Sequence, residues 1–309
     1  MPEQLEVADD GTSLVVSAGD VALATYVYRP DAPAVEAPKP YFHPLRTTSG
    51  VAVTNYRPWD HRWHKGVQMT LSHVTDTATG AGHNFWGGPT FEPDAPGNGY
   101  VWRDNLGRQE HEVFDKIGTG DAVEVAERLH WTTYDEQSWF AEERAFRISE
   151  VSLERGVWVL DFATSLRNAH AAPLRLGSPT THGRPLAGYT GFFWRGPRAW
   201  TDAPIMASDG TDGETVMGRR ADWVAMAGLH DGDDGGATML FLAGRSSGRT
   251  PLTWFARNAM FAALNPSVAF HEEFDLAPGE SLDLAHRIAI VDRPLERAEL
   301  TALAEELLP

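Results

Sequence analysis

The chain contains no cysteine, which excludes disulfides, thiolate nucleophiles and zinc–sulfur centres. Basic residues are scarce: 26 Lys and Arg against 43 Asp and Glu leave a net charge of −17. A field of that sign repels phosphate backbones and anionic lipid, so neither nucleic acid nor a membrane surface is an expected partner. No apolar run approaches the roughly 20 residues needed to cross a bilayer. The first ten residues are polar and acidic, without the basic and apolar regions of a secretory signal, so a cytoplasmic location is expected. Internal repeats, low-complexity tracts and the His-Glu-x-x-His spacing of helical zinc sites are also missing.

Strand patterning is what the chain has in quantity. In residues 157–166, Trp158, Leu160, Phe162 and Leu166 alternate with Asp161 and Ser165, the period of a strand with one buried face. Val123, Val125, Leu129 and Trp131 form a second such series, and Leu282, Leu284, Ile288 and Ile290 a third. Turns rich in Gly, Asp and Pro separate these runs, as at residues 118–121, 231–236 and 277–280. Many short strands with such punctuation predict an all-β sandwich or barrel. Residues 31–40 and 93–99 read as loops, because strand patterning continues on both sides. A single domain over residues 1–309 is therefore expected. The one helix signal lies at the C-terminus, where Asp292 is positioned to cap a segment carrying Leu295, Leu303 and Leu307, expected to close a sheet edge.

Chemistry concentrates between residues 41 and 86, which hold five of the twelve histidines. Imidazole both gives and takes a proton near neutral pH, so such crowding points to a site rather than to packing. The sharpest element is Asp60-His61-Arg62-Trp63-His64-Lys65-Gly66, read as a loop leading into a strand over residues 67–74. There His61 and His64 are acid/base candidates, with Asp60 fixing a tautomer. His73 and His286 read as core histidines.

In residues 140–148, Glu142 and Arg144 share a face with Phe140 and Phe146. A buried charge must be paired or serve a ligand. A structural ion pair is the safer reading, and Glu142 is also a candidate base, with Glu143 the alternative if the register is shifted. Eleven tryptophans supply flat faces suited to stacking on sugar rings. Trp194 with Arg195, and Trp254 with Arg257, each join a stacking plane to a donor fork. The substrate-binding set is Arg46, Trp59, Asn84, Trp86, His182, Trp194, Arg195, Trp254 and Arg257. No cofactor is required by these residues, although His61 and His64 with one further ligand offer a place for a divalent metal.

Several segments carry a family resemblance in order and spacing. They include His43-Pro44-Leu45-Arg46-Thr47-Thr48-Ser49-Gly50, the residue 59–66 loop and Asn84-Phe85-Trp86-Gly87-Gly88 in the first half. Phe193-Trp194-Arg195-Gly196, Gly218-Arg219-Arg220, Trp254-Phe255-Ala256-Arg257, Asn265-Pro266 and Ala277-Pro278-Gly279-Glu280-Ser281 follow in the second. From about residue 41 to residue 292 the chain resembles a bacterial family called "methane oxygenase PmoA", also treated as a domain of unknown function. The resemblance implies a large antiparallel β-sandwich like that of galactose mutarotases, whose site sets histidines and a glutamate on one sheet face. The expectation is a carbohydrate-active enzyme using His/Glu acid–base chemistry on a sugar or glycoside. A metal-dependent oxygenase or lyase, and a non-catalytic sugar-binding protein, are the alternatives.

Overall fold

The apolar–polar alternation of the longest strands is realised as two eight-stranded antiparallel sheets packed face to face. The computed structural model describes residues 3–232, 234–246 and 252–308, so Asp233 of the 231–236 turn lies outside it. In order across the first sheet run Leu5–Asp9, Ser13–Ala18, Val21–Val27, Tyr41–Leu45, Val67–Thr70, Gly191–Arg195, Ala263–Ser267 and Thr253–Arg257. The second sheet runs Arg108–Gly118, Val123–Thr132, Ser138–Ser152, Val157–Asn168, Ser281–Val291, Gly236–Ser246, Trp223–Leu229 and Ile205–Ala207. This is an all-β sandwich.

The inner faces interdigitate through aromatic rings. Phe42 of the first sheet lies 5.0 Å from Phe146 of the second, and Phe192 lies 4.7 Å from Phe162. Trp158, Leu160, Phe162 and Leu166 all point into this core, as their alternation requires. His286 joins them, stacked 4.6 Å from Phe192, and burial pushes its pKa down to about 3.

Two local expectations need correction. Residues 67–74 are not one strand: the run breaks after Val67–Thr70, and His73–Asp76 pairs instead within a small four-stranded sheet. The C-terminal helix, Arg297–Leu307, is capped by Glu296 through a reciprocal box with Glu299, not by Asp292. Asp292 instead accepts hydrogen bonds from the Thr48 and Ser49 hydroxyls and the Ser49 backbone N–H. Nor does the helix close an edge. Its Leu300, Ala304 and Leu307 pack on Val157, Val159, Leu240 and Ala289, on the outer face of the second sheet. That outer face is apolar there and would otherwise be wet, which is the stronger call on a helix's apolar stripe. Among the described residues, no helix is long and apolar enough to cross a membrane.

Candidate functional site

Side chains in a strand alternate between faces, so the strands that send Phe192, Trp194, Trp254 and Ala256 into the sandwich send Phe193, Arg195, Phe255 and Arg257 to the opposite side. On that outer face of the first sheet, loops wall off a cavity of about 310 Å³. His61, His64, Trp63 and Trp86 line one part of it, and Tyr100, Arg184, Tyr189 and Arg257 line another. Phe193, Phe255 and Phe261 complete the apolar walls. Its size is at the low end for a small-molecule site. A larger depression, about 510 Å³, lies on the outer face of the second sheet over Ala126, Ala145, Ala163 and Ala285. Its charged side chains pair with one another, as in Arg287–Asp161 at 2.6 Å, and the one unpartnered imidazole in its lining, His286, faces the core aromatics.

The walls are held by specific local chemistry. The Asn84 carbonyl oxygen accepts from the backbone N–H groups of Trp86 and Gly87 at 2.8 and 3.0 Å, fixing a tight turn. Gly87 and Gly88 both have left-handed backbones, and a Cβ on either would fall 2.6 and 2.5 Å from Trp63. Only glycine lets that indole lie against the turn. Beneath the loop, buried Glu36 accepts two hydrogen bonds from Arg57 and one from Lys65. Burial alone would raise the Glu36 pKa, but these donors hold it below the usual value. Fully buried Lys39 donates to the carbonyls of Glu36 and Trp86 at 2.9 and 3.1 Å.

The two histidines are stacked, with ring centroids 4.8 Å apart, and each Nδ1 has a different partner. His61 Nδ1 lies 2.9 Å from Asp60 Oδ2, while Asp60 Oδ1 accepts from Arg198 at 2.6 Å. Burial would raise the Asp60 pKa, yet the bonds from His61 and Arg198 leave it lowered. An ionised carboxylate only accepts, so His61 Nδ1 carries a proton and Nε2 of the neutral ring carries a lone pair.

His64 Nδ1 lies 3.2 Å from Arg195 Nη1. A guanidinium only donates, so His64 Nδ1 is the acceptor and the proton of the neutral ring sits on Nε2. Burial holds the His64 pKa well below its usual value, reinforced by His61 and Arg195. The His61 pKa is lowered too, by burial, against the opposing pull of Asp60. Among the described residues neither Nε2 has a hydrogen-bond partner in the protein. The stack thus presents a base and a hydrogen-bond donor side by side.

Arg195 is fully buried, packed with its guanidinium carbon 3.8 Å from the Phe261 ring centre. Its Nε and Nη2 have no partner, and burial pulls its pKa down to about 10, still cationic at neutral pH. Among the described residues no three His, Asp or Glu side chains gather as ligands. The Nδ1 lone pair of His64 is already taken by a cation that would repel another.

Of the expected site residues, His61, His64, Trp86 and Arg257 line the cavity; Arg195 lies against it and Asn84 shapes its wall. The rest lie elsewhere. Glu142 points into the sandwich core, where Arg144, Trp131 and Thr164 saturate its carboxylate. Trp194 and Trp254 are core residues whose indoles donate to the carbonyls of Val53 and Ala221. Arg46 donates to the Gly50 carbonyl, and His182 pairs with Glu273 at 3.2 Å. Trp59 is 78% exposed. Sequence reasoning did not single out Trp63, Tyr100, Arg184, Tyr189, Phe193, Phe255 or Phe261 as site residues. Strand parity would have found Phe193 and Phe255, since each immediately precedes or follows a core tryptophan.

A comparison with curated proteins finds no match. A family model does match, over residues 13–305, and it takes in every residue of the cavity. The chain therefore belongs to the Family of unknown function (DUF6807).

Proposed function

We propose that this cavity is the active site of a carbohydrate-active enzyme working by histidine acid–base chemistry, of epimerase, lyase or hydrolase type. One observation carries the reading: two stacked imidazoles whose Nδ1 atoms face a carboxylate and a guanidinium, partners that call for opposed tautomers. With Nε2 unprotonated, His61 is the general base. It removes a proton from a hydroxyl, or from a carbon beside a carbonyl, and becomes an imidazolium that the Asp60 carboxylate stabilises. With Nε2 protonated and its pKa depressed, His64 remains neutral and donates a hydrogen bond to the oxygen on which negative charge grows. The Arg195 guanidinium, buried behind it without a carboxylate partner, adds a fixed positive charge in a low-dielectric setting, where it is most effective.

The aromatic lining suits a sugar. Trp63, Trp86 and Tyr189 offer apolar faces with polar edges, the pattern that packs against a pyranose ring while meeting its hydroxyls. Likeness to the mutarotases would extend only to histidines on a sheet face, because the glutamate expected to join them is committed to the core. The test is a thermal-shift screen of keto-sugars, glycosides and free sugars, followed by NMR for product. His61→Ala should lower turnover of the identified substrate about 10²- to 10⁴-fold while leaving the melting temperature nearly unchanged. Full turnover by both His61→Ala and His64→Ala would end the proposal. A sugar that binds but is recovered unchanged would make the protein a binding module instead.

A further inference from the structure

The cavity inverts the charge of the molecule that contains it. The chain carries a net charge of −17, yet no Asp or Glu lines the cavity. Arg184 and Arg257 do line it, and Arg195 lies against it through Phe261 and His64. Among the described residues Arg184 and Arg195 have no carboxylate within ion-pair distance, and Arg257 has only a long-range one. Arg184 lies 4.9 Å over the Tyr100 ring and donates to its hydroxyl, which in turn lies 2.9 Å from the Tyr189 hydroxyl. Arg257 forms a long ion pair with Glu214 Oε2 at 3.7 Å, while the other oxygen of that carboxylate accepts from the backbone N–H groups of Asn258 and Ala259. Arg195, fully buried, has two nitrogens without any partner. Burying a guanidinium such as that of Arg195 without counter-charge is unfavourable unless a ligand supplies it.

Resting on the cavity being the ligand site, we infer that its ligand is an anionic monosaccharide, whose carboxylate or phosphate is bound by Arg184 and Arg257. Guanidinium forks match such groups with paired charge-assisted hydrogen bonds. The Tyr189 hydroxyl, in the same corner, supplies one more donor when Tyr100 donates to it. The remainder of the sugar then lies along Trp86 toward His61 and His64, since Trp86 contacts both the Tyr189 ring at 4.8 Å and the His64 ring at 5.8 Å. A neutral sugar would leave the cationic corner unmatched.

The experiment measures equilibrium binding to the full chain by isothermal titration calorimetry. Its probes are D-glucuronate and D-galacturonate, D-glucose 6-phosphate, and D-glucose as the neutral control. At least one anion should bind about tenfold or more tightly than D-glucose, with the advantage shrinking as salt is added. Which anion wins separates a sugar acid from a sugar phosphate. Arg184→Gln and Arg257→Gln should each weaken that binding about 10- to 100-fold. Glucose binding as tightly as every anion, no anion binding, or anion binding unmoved by both substitutions would each overturn the inference. Anion binding with His61-independent turnover would sink the catalytic reading alone, whereas His61-dependent turnover of a neutral sugar only would sink this one alone.

Discussion

Two polar clusters in this protein are built from nearly the same residue types, and they end in opposite conditions. In the sandwich core, His111 Nδ1 meets Glu127 at 2.6 Å, Tyr26 donates to the same carboxylate, and Arg144 donates to Tyr26 at 3.0 Å. Arg144 also clamps Glu142, which takes further bonds from Trp131 at 2.7 Å and Thr164 at 2.8 Å. Every strong acceptor in that chain finds a donor. Around the cavity, His61, His64 and Arg195 keep nitrogens that no protein group meets. Burial is common to both clusters, so burial is not what marks a site. Unspent hydrogen-bonding capacity on several polar groups converging on one cavity does.

The comparison breaks most cleanly at Glu142. If its cluster is structural, Glu142→Gln takes from buried Arg144 its direct carboxylate partner, leaving only the more distant Glu127, and destabilises the fold by about 3 kcal/mol. Turnover per folded molecule should be unchanged. Urea denaturation alongside activity measured on the folded fraction checks both halves. A loss of turnover without loss of stability would return Glu142 to the catalytic role its residue type first suggested. Asp60→Asn should give the mirror image. Stability changes little, because Asp60 is partly exposed, but His61 loses the carboxylate that fixes its tautomer. Turnover should drop about 10²-fold or more, and the acid limb of kcat/KM should move to lower pH, because Asp60 is what raises the His61 pKa against burial. In the unsubstituted protein that limb should already lie below the ordinary histidine value, since burial lowers the His61 pKa.

Much of the fold was legible because alternation is a local signal. Trp158, Leu160, Phe162 and Leu166 declare one buried face whatever the rest of the chain does. The same rule, applied further, would have corrected part of the site. Trp194 and Arg195 are neighbours in a strand, so they cannot both face one ligand, and the structure sends the indole inward and the guanidinium outward. Trp254 and Arg257, three apart, are divided in the same way. His61 and His64 were legible as a crowd of imidazoles in one loop, but their opposed tautomers were not. Those depend on Arg195, more than a hundred residues away in sequence. Arg184, Tyr100 and Tyr189 meet through loop packing that no periodicity encodes. Glu36, in a Pro- and Ala-rich stretch read only as a loop, turned out to be the buried anchor of Arg57 and Lys65.

A smaller effect separates histidines that must stay neutral from those that work. Burial pushes His286 down to about 3, and His43 and His73 to about 4, the last two with added repulsion from Arg46 and His182 respectively. Unfolded histidine titrates near 6.5, so between that value and the folded one the unfolded chain binds the extra proton. Stability is therefore full above about pH 6.5 and falls as pH drops toward 4, by up to about 1.4 kcal/mol per pH unit for each group. His286→Leu removes one such group without touching the cavity. The slope of unfolding free energy against pH between about 6 and 4 should flatten accordingly, and an unchanged slope would mean that His286 takes up its proton in the folded state.

The smallest expected effect lies within a single loop, where Trp59 and Trp63 are four residues apart and equally attractive as sugar platforms by type. Trp59 is 78% exposed, with Arg198 5.9 Å from its ring, and it does not line the cavity. Trp63 packs on Gly87 and Gly88, stands 5.3 Å from His61 and forms cavity wall. Trp63→Ala should weaken ligand binding about tenfold through lost ring contact. Trp59→Ala should leave binding and turnover unchanged and alter stability by no more than about 1 kcal/mol, the scale of an exposed cation–π contact. Arg198 keeps its hold on Asp60 without the indole, so nothing in the His61 relay depends on it. If Trp59→Ala instead costs as much binding as Trp63→Ala, the ligand extends out of the cavity over the loop, and the sugar it carries is longer than one ring.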